Sequence, residues 1–213
     1  MGLFDFFKRT NKIKGSIGHF GLADWWTNTF TEQEREYIIN TFKPLGDTSD
    51  SLTNGDIEWT SQSAVSLLGN LSQWFKKEHD KTIGFRLIKK AEELVTNSTD
   101  ILDIHFLYLN KIQLYYRFRD DGENLSTAIV ACKQQIEISP ESKKAFKKEF
   151  KGEPLPSHTG FEQLAIIEEK RGNYNEVIEI CKTALKEKWG GDWENRINRC
   201  NKKLLKQSGN GNS

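Results

Sequence analysis

Proline is scarce, with four residues in a chain of 213. Each proline removes a backbone donor and breaks a helix interior, so this scarcity leaves room for long uninterrupted helices. Cysteine is rarer still. Cys132, Cys181 and Cys200 do not pair off, have no C-x-x-C spacing and sit among helix formers. That argues against a disulfide framework or a zinc ribbon, and for buried thiols in a reducing compartment. The four histidines, His19, His79, His105 and His158, stand apart along the chain without H-E-x-x-H or comparable spacing. No metal or other cofactor is therefore expected.

A charge excess is also missing. The formal net charge is +1, so no bulk field draws the chain to nucleic acid, and none is expected as its main partner. No apolar run approaches the length that spans a bilayer. The start puts Leu3, Phe4, Phe6 and Phe7 before Lys8, Arg9, Lys12 and Lys14 and lacks a cleavage region, so no secretory signal is read. Met1-Gly2 opens like a myristoylation site, but Phe6 stands where Ser or Thr is required. A cytoplasmic location is the expectation.

The chain is rich in helix signals. In "TEQEREYIINTF", Thr31 and Glu34 form a capping box, and Pro44 and Gly46 stop the helix. "GDTSDSLTNGD" is turn chemistry and reads as an exposed linker. Residues 1–60 thus form an N-terminal helical extension and linker. From Ser61 onward, helices are read over 61–78, 81–96, 100–118, 124–138, a stretch from Ser139, 158–171, 173–188 and 193–206. Residues 100–118 are apolar over much of their surface, which marks the central helix. Residues 207–213 read as a disordered tail.

Two of these helices resemble each other. Ala128, Ile129, Cys132 and Ile136 align with Val177, Ile178, Cys181 and Leu185, the mark of stacked helix pairs. The last pair resembles a tetratricopeptide repeat, most clearly over residues 160–185. Leu164 and Ala165 stand at the large-small pair of its first helix. Gly172, Asn173 and Tyr174 make the turn, and Val177, Cys181 and Ala184 hold the small packing positions of the second helix. Upstream the match thins, and Cys132 and Cys181 lie further apart than a strict repeat allows, with room for an inserted helix after Ser139. The fold class expected is all-α, with antiparallel helix hairpins stacked as a divergent domain of this kind over 61–206.

No nucleophile beside a base, phosphate loop or metal cluster is present as a motif, so no catalysis is expected. Glu92–Glu93 and Glu168–Glu169 read as solvated helix faces. The resemblance implies a groove lined by successive first helices that holds a protein or peptide, in an adaptor or regulator. Its register places Gln73, Asn110, Gln113, Arg117, Glu162 and Ile166 toward that groove. Glu162 and Ile166 stand where relatives that clamp a terminal carboxylate carry lysine and asparagine, so that mode is not expected. Two other readings come from other classes. One is attachment to a membrane surface or nucleic acid, through the N-terminal aromatic-basic segment or the lysines Lys143, Lys144, Lys147, Lys148 and Lys151. The plainer account of that lysine helix docks it through Phe146 and Phe150 with its lysines in water. The other is an enzyme with a site between residues 1–60 and the repeats. "KEKWGGDWENRI", Lys186 to Ile197, reads as a structural corner, in which Gly190 and Gly191 end one helix, Asp192 caps the next, and Trp189 and Trp193 pack together.

Overall fold

The computed structural model describes residues 13–45 and 50–209. Among the described residues there are eleven helices and no strand. Three precede the expected repeats: α1 (Gly15–His19), α2 (Ala23–Thr29) and α3 (Glu32–Thr41). The Thr31 hydroxyl accepts from the Glu34 amide, and the Glu34 carboxylate accepts from the Thr31 amide. This is the reciprocal cap read from the sequence. The segment before α4 differs from the exposed linker expected. Leu52 is buried, and its carbonyl accepts from Ile17 N while that of Thr53 accepts from Lys14 N. One leucine among turn-forming residues is enough to pin the loop to the core.

The rest of the chain alternates along hairpins. α4 (Ala64–Ser72) pairs with α5 (Lys81–Glu93), and α6 (Ile101–Arg117) with α7 (Asn124–Glu137). α8 (Ser139–Glu149) is the inserted helix. α9 (Thr159–Lys170) pairs with α10 (Tyr174–Glu187), and α11 (Trp193–Gly209) closes the stack against α10. α4 ends earlier than its periodicity suggests, and α11 continues into the segment read as a tail. α6 touches α4, α5, α7, α8 and α9, as an almost wholly apolar helix should. The paired positions of α7 and α10 are used alike: Ala128 and Val177, and Cys132 and Cys181, are fully buried. Leu185, the counterpart of half-buried Ile136, is exposed.

Two hydrophobic clusters result. The first joins Ile17, Trp26, Phe30, Ile38 and Leu52 to Leu68, Leu71, Phe75, Leu87 and Leu114. It runs across the boundary read near residue 60. The second gathers Ile112, Cys132, Phe146, Phe161, Cys181, Trp189, Trp193 and Cys200. All three cysteines are buried and unpaired.

The corner at Lys188–Trp193 is built differently from its sequence reading. Lys188, at φ 68°, ends α10 in place of a glycine. Gly191 serves close approach instead, since a Cβ there would lie 2.4 Å from the Trp193 ring. Trp193 Nε1 donates to the Trp189 carbonyl (2.8 Å), and both indoles are buried. Both tryptophans pack at the corner, as expected.

Candidate binding face on the first helices

The residues predicted for a groove lie on α6 and α9 and, for Gln73, on the turn that ends α4. The tightest group is at the seam of α4 and α6. Gln73 Nε2 donates to the Asn110 carbonyl (3.0 Å), Asn110 Nδ2 to Asn70 Oδ1 (3.4 Å), and Arg117 Nε to the Lys76 carbonyl (2.7 Å). Gly69 permits this approach, with its Cβ position 3.4 Å from Asn110 Nδ2.

One prediction changes here. Asn110 is 6% exposed, so it belongs to the seam and does not line an open surface. A polar residue on an apolar helix can mark an interhelical hydrogen bond as readily as a solvent face, and only the neighbour decides between them. Arg117 and Gln113 are exposed. Lys170 Nζ, the last residue of α9, donates to the Tyr116 hydroxyl (3.0 Å) and fixes α9 on the other flank of α6. Gln113 lies three residues after Asn110, which faces α4, and three before Tyr116, which faces α9. Helical geometry therefore puts it between the two neighbouring first helices. Ile166 and Glu162 precede Lys170 by four and eight residues and share its face of α9, half-buried and exposed respectively. Among the described residues no hydrogen bond or ion pair joins them to the seam.

Sequence reasoning missed the groups beside this seam. Trp74 is partly exposed and stacks edge-on against Phe42 (5.4 Å between ring centroids). Lys76 lies next to Arg117; burial, then the Arg117 charge, lowers its ammonium pKa. Neither cation is ion-paired among the described residues. Gln73 Oε1 is buried without a hydrogen-bond partner. Residues that follow a helix carry no periodic signal, so nothing in the spacing placed them here.

Other titratable groups are packed into the second cluster. His105 and His158, isolated in the sequence, meet in the fold with ring centroids 5.1 Å apart, against Trp189 and Phe146. Burial lowers His105 to about 4. Burial and then the His105 charge lower His158 to about 3. His158 Nδ1 accepts the Phe161 amide at the start of α9 (3.3 Å), so its proton resides on Nε2. Burial raises the Cys132 thiol to about 12 and Cys181 to about 11, which holds them as thiols rather than nucleophilic thiolates.

Glu168 and Glu169 correct another expectation, for neither is a solvated face. Glu168 is buried and accepts from Asn173 Nδ2 (2.6 Å) and Arg171 Nη1 (2.9 Å). Glu169 pairs with Arg196, Arg199 and Lys203, and the Arg199 hydrogen bond leads the causes that lower it to about 2. Among the described residues no cluster of three or more metal-ligating side chains exists, and no helix is long and apolar enough to cross a membrane. A concavity of about 620 Å³ lies near the α9–α10 turn and contains none of the six predicted residues. The aromatic cluster Leu3–Phe7 lies outside the described residues.

Comparison with protein-family models, with the curated proteins and with the solved structures finds no match for this chain.

Proposed function

We propose that this protein is a noncatalytic binding module that holds a protein or peptide on the face shared by α4, α6 and α9, in the manner of tetratricopeptide-like repeats. The observation that carries the reading is the α4–α6 seam. There Gln73 and Asn110 spend their hydrogen bonds on holding two first helices together, while Gln113, Arg117, Lys76 and Trp74 remain on its open side. Such a face couples a rigid scaffold to adaptable polar and aromatic contacts, which favours recognition over chemistry. The buried, protonated thiols and the low histidine pKa values fit the same reading, because none of these groups is poised to transfer a proton near neutral pH.

Arg117→Glu tests the proposal. It should weaken partner capture about tenfold or more, the scale of one good interface residue, with an unchanged circular dichroism spectrum. Normal binding of every co-purifying protein by that variant would end the assignment.

A further inference from the structure

The inserted helix α8 has a face that the proposed groove does not use. Ser139, Ser142 and Phe146 are buried against the body of the protein, while Lys144, Lys147, Lys148 and Lys151 are exposed. Only half of the docking expected from the sequence occurs. Phe146 anchors the helix among His105, Phe106 and Trp189, whereas Phe150 is 51% exposed. The rings of Phe106, Phe146 and Phe150 form a row with centroid spacings of 5.9 and 6.0 Å, and Phe106 is itself 42% exposed.

Beside this row is a cleft of about 240 Å³ lined by Phe146, Phe150, Glu153, Pro154, Leu155 and Pro156. It is smaller than the ~300–1,000 Å³ of a small-molecule pocket, a size suited to one large apolar side chain. Its walls are fixed. Glu153 N donates to the Phe150 carbonyl (3.2 Å), and Gly190 N to the Pro156 carbonyl (3.0 Å), which ties the loop to the α10–α11 corner. A preformed wall lowers the ordering cost of binding.

The helix beside the cleft carries five lysines, Lys143, Lys144, Lys147, Lys148 and Lys151. None of the five lysines from Lys143 to Lys151 is ion-paired among the described residues. They outnumber the neighbouring Glu141, Glu149 and Glu153. Unspent positive charge around an apolar cleft complements negative charge around an apolar side chain.

We propose that α8 and the Glu153–Pro156 loop dock a peptide segment of another protein, in which an aromatic side chain flanked by Asp or Glu enters the cleft and its carboxylates meet Lys143 and Lys147, which share the flank of α8 that carries Phe150. A bilayer suits this surface less well. The apolar part is concave and edged by Glu153 and Glu149, whereas a membrane-bound helix offers a broad convex apolar face. The patch borders the α4–α6–α9 face at Phe106 and does not depend on it.

The test is fluorescence anisotropy with a fluorescein-labelled dodecapeptide carrying one phenylalanine between two pairs of acidic residues. Binding should weaken with added salt. It should fall about tenfold for Phe150→Asp and for the double variant Lys143→Glu/Lys147→Glu, and stay within twofold for Arg117→Glu. Phe150→Ala, a milder change, should weaken binding in the same direction. Equal binding of a peptide with alanine in place of phenylalanine, or no binding by the unaltered protein, overturns the proposal. Loss with Arg117→Glu alone also overturns it and moves the peptide to the α4–α6 seam. Uptake by phosphatidylserine vesicles that is lost in the Phe150 variants, with no peptide binding, assigns the patch to membranes and overturns it as well.

Discussion

Trp26, Phe30, Phe75, Leu71 and Leu87 fill one end of the molecule, and the other end combines Phe146, Phe161, Trp189 and Trp193 with His105, His158, Gln135, three cysteines and several alanines. α6 serves both, giving Leu107 and Leu114 to the first cluster and Ile112 to the second. At the first end, burial of large apolar side chains is the dominant device. At the second, polar groups are buried as well and must be satisfied. Gln135 shows how: its Nε2 donates to the His105 carbonyl (2.9 Å), and its Oε1 accepts from the Gly160 amide (2.6 Å), so one side chain ties α6 and α9 to α7. The difference teaches where conditions can act. An apolar cluster responds little to pH, whereas one that buries imidazoles responds strongly.

The largest effect that would sharpen this contrast is acid sensitivity of the second cluster. Both imidazoles titrate below their free value of 6.5 when folded, so the unfolded chain binds more protons. Their full contribution is present above about pH 6.5, and stability falls as pH drops toward 4. The fall should reach about 3 kcal/mol for each ring by pH 4, measured by urea unfolding at a series of pH values. His158→Asn keeps an acceptor at the start of α9 and should flatten the slope by one ring's share. An unchanged slope would break the comparison. Phe75→Ala, in the first cluster, should cost about 3–5 kcal/mol at pH 7. Its cost should be the same at pH 5, and a pH-dependent cost would show that the clusters are not chemically distinct.

Smaller effects follow. Glu169→Gln should destabilise by about 1–3 kcal/mol at pH 7, because it leaves three cations around a neutral amide. Glu169 is held below the usual carboxylate range, so this difference should shrink as pH falls from 4.5 toward 2. Arg117→Glu, on an exposed side chain, should change stability by no more than about 0.5 kcal/mol, a shift that thermal unfolding can bound.

Much of the fold was legible because its signals are local. The Thr31–Glu34 cap and the apolar surface of residues 101–117 each predict structure from neighbouring residues alone. Leu52 was missed because a single apolar residue inside a turn-rich segment has no period. The meeting of His105 with His158 was missed because 53 positions separate them along the chain, and only the α6–α9 packing closes that gap. The candidate face divides the same way. Repeat register placed Gln73, Asn110, Gln113, Arg117, Glu162 and Ile166 toward one groove, but it could not tell that Asn110 is buried against α4 while Arg117 stays exposed. Helical phase fixes a side chain's direction on its own helix, and the partner's position decides whether that direction is buried.

The central claim is that the face of α4, α6 and α9 holds a protein or peptide. Its most direct test is a photo-crosslinking residue at Gln113, compared with one at Asn201 on the exposed side of α11, each activated in the native host and read by mass spectrometry. Discrete crosslinked partners at Gln113 that are absent at Asn201 are the predicted result. Identical products at both positions, or none at Gln113, would contradict it.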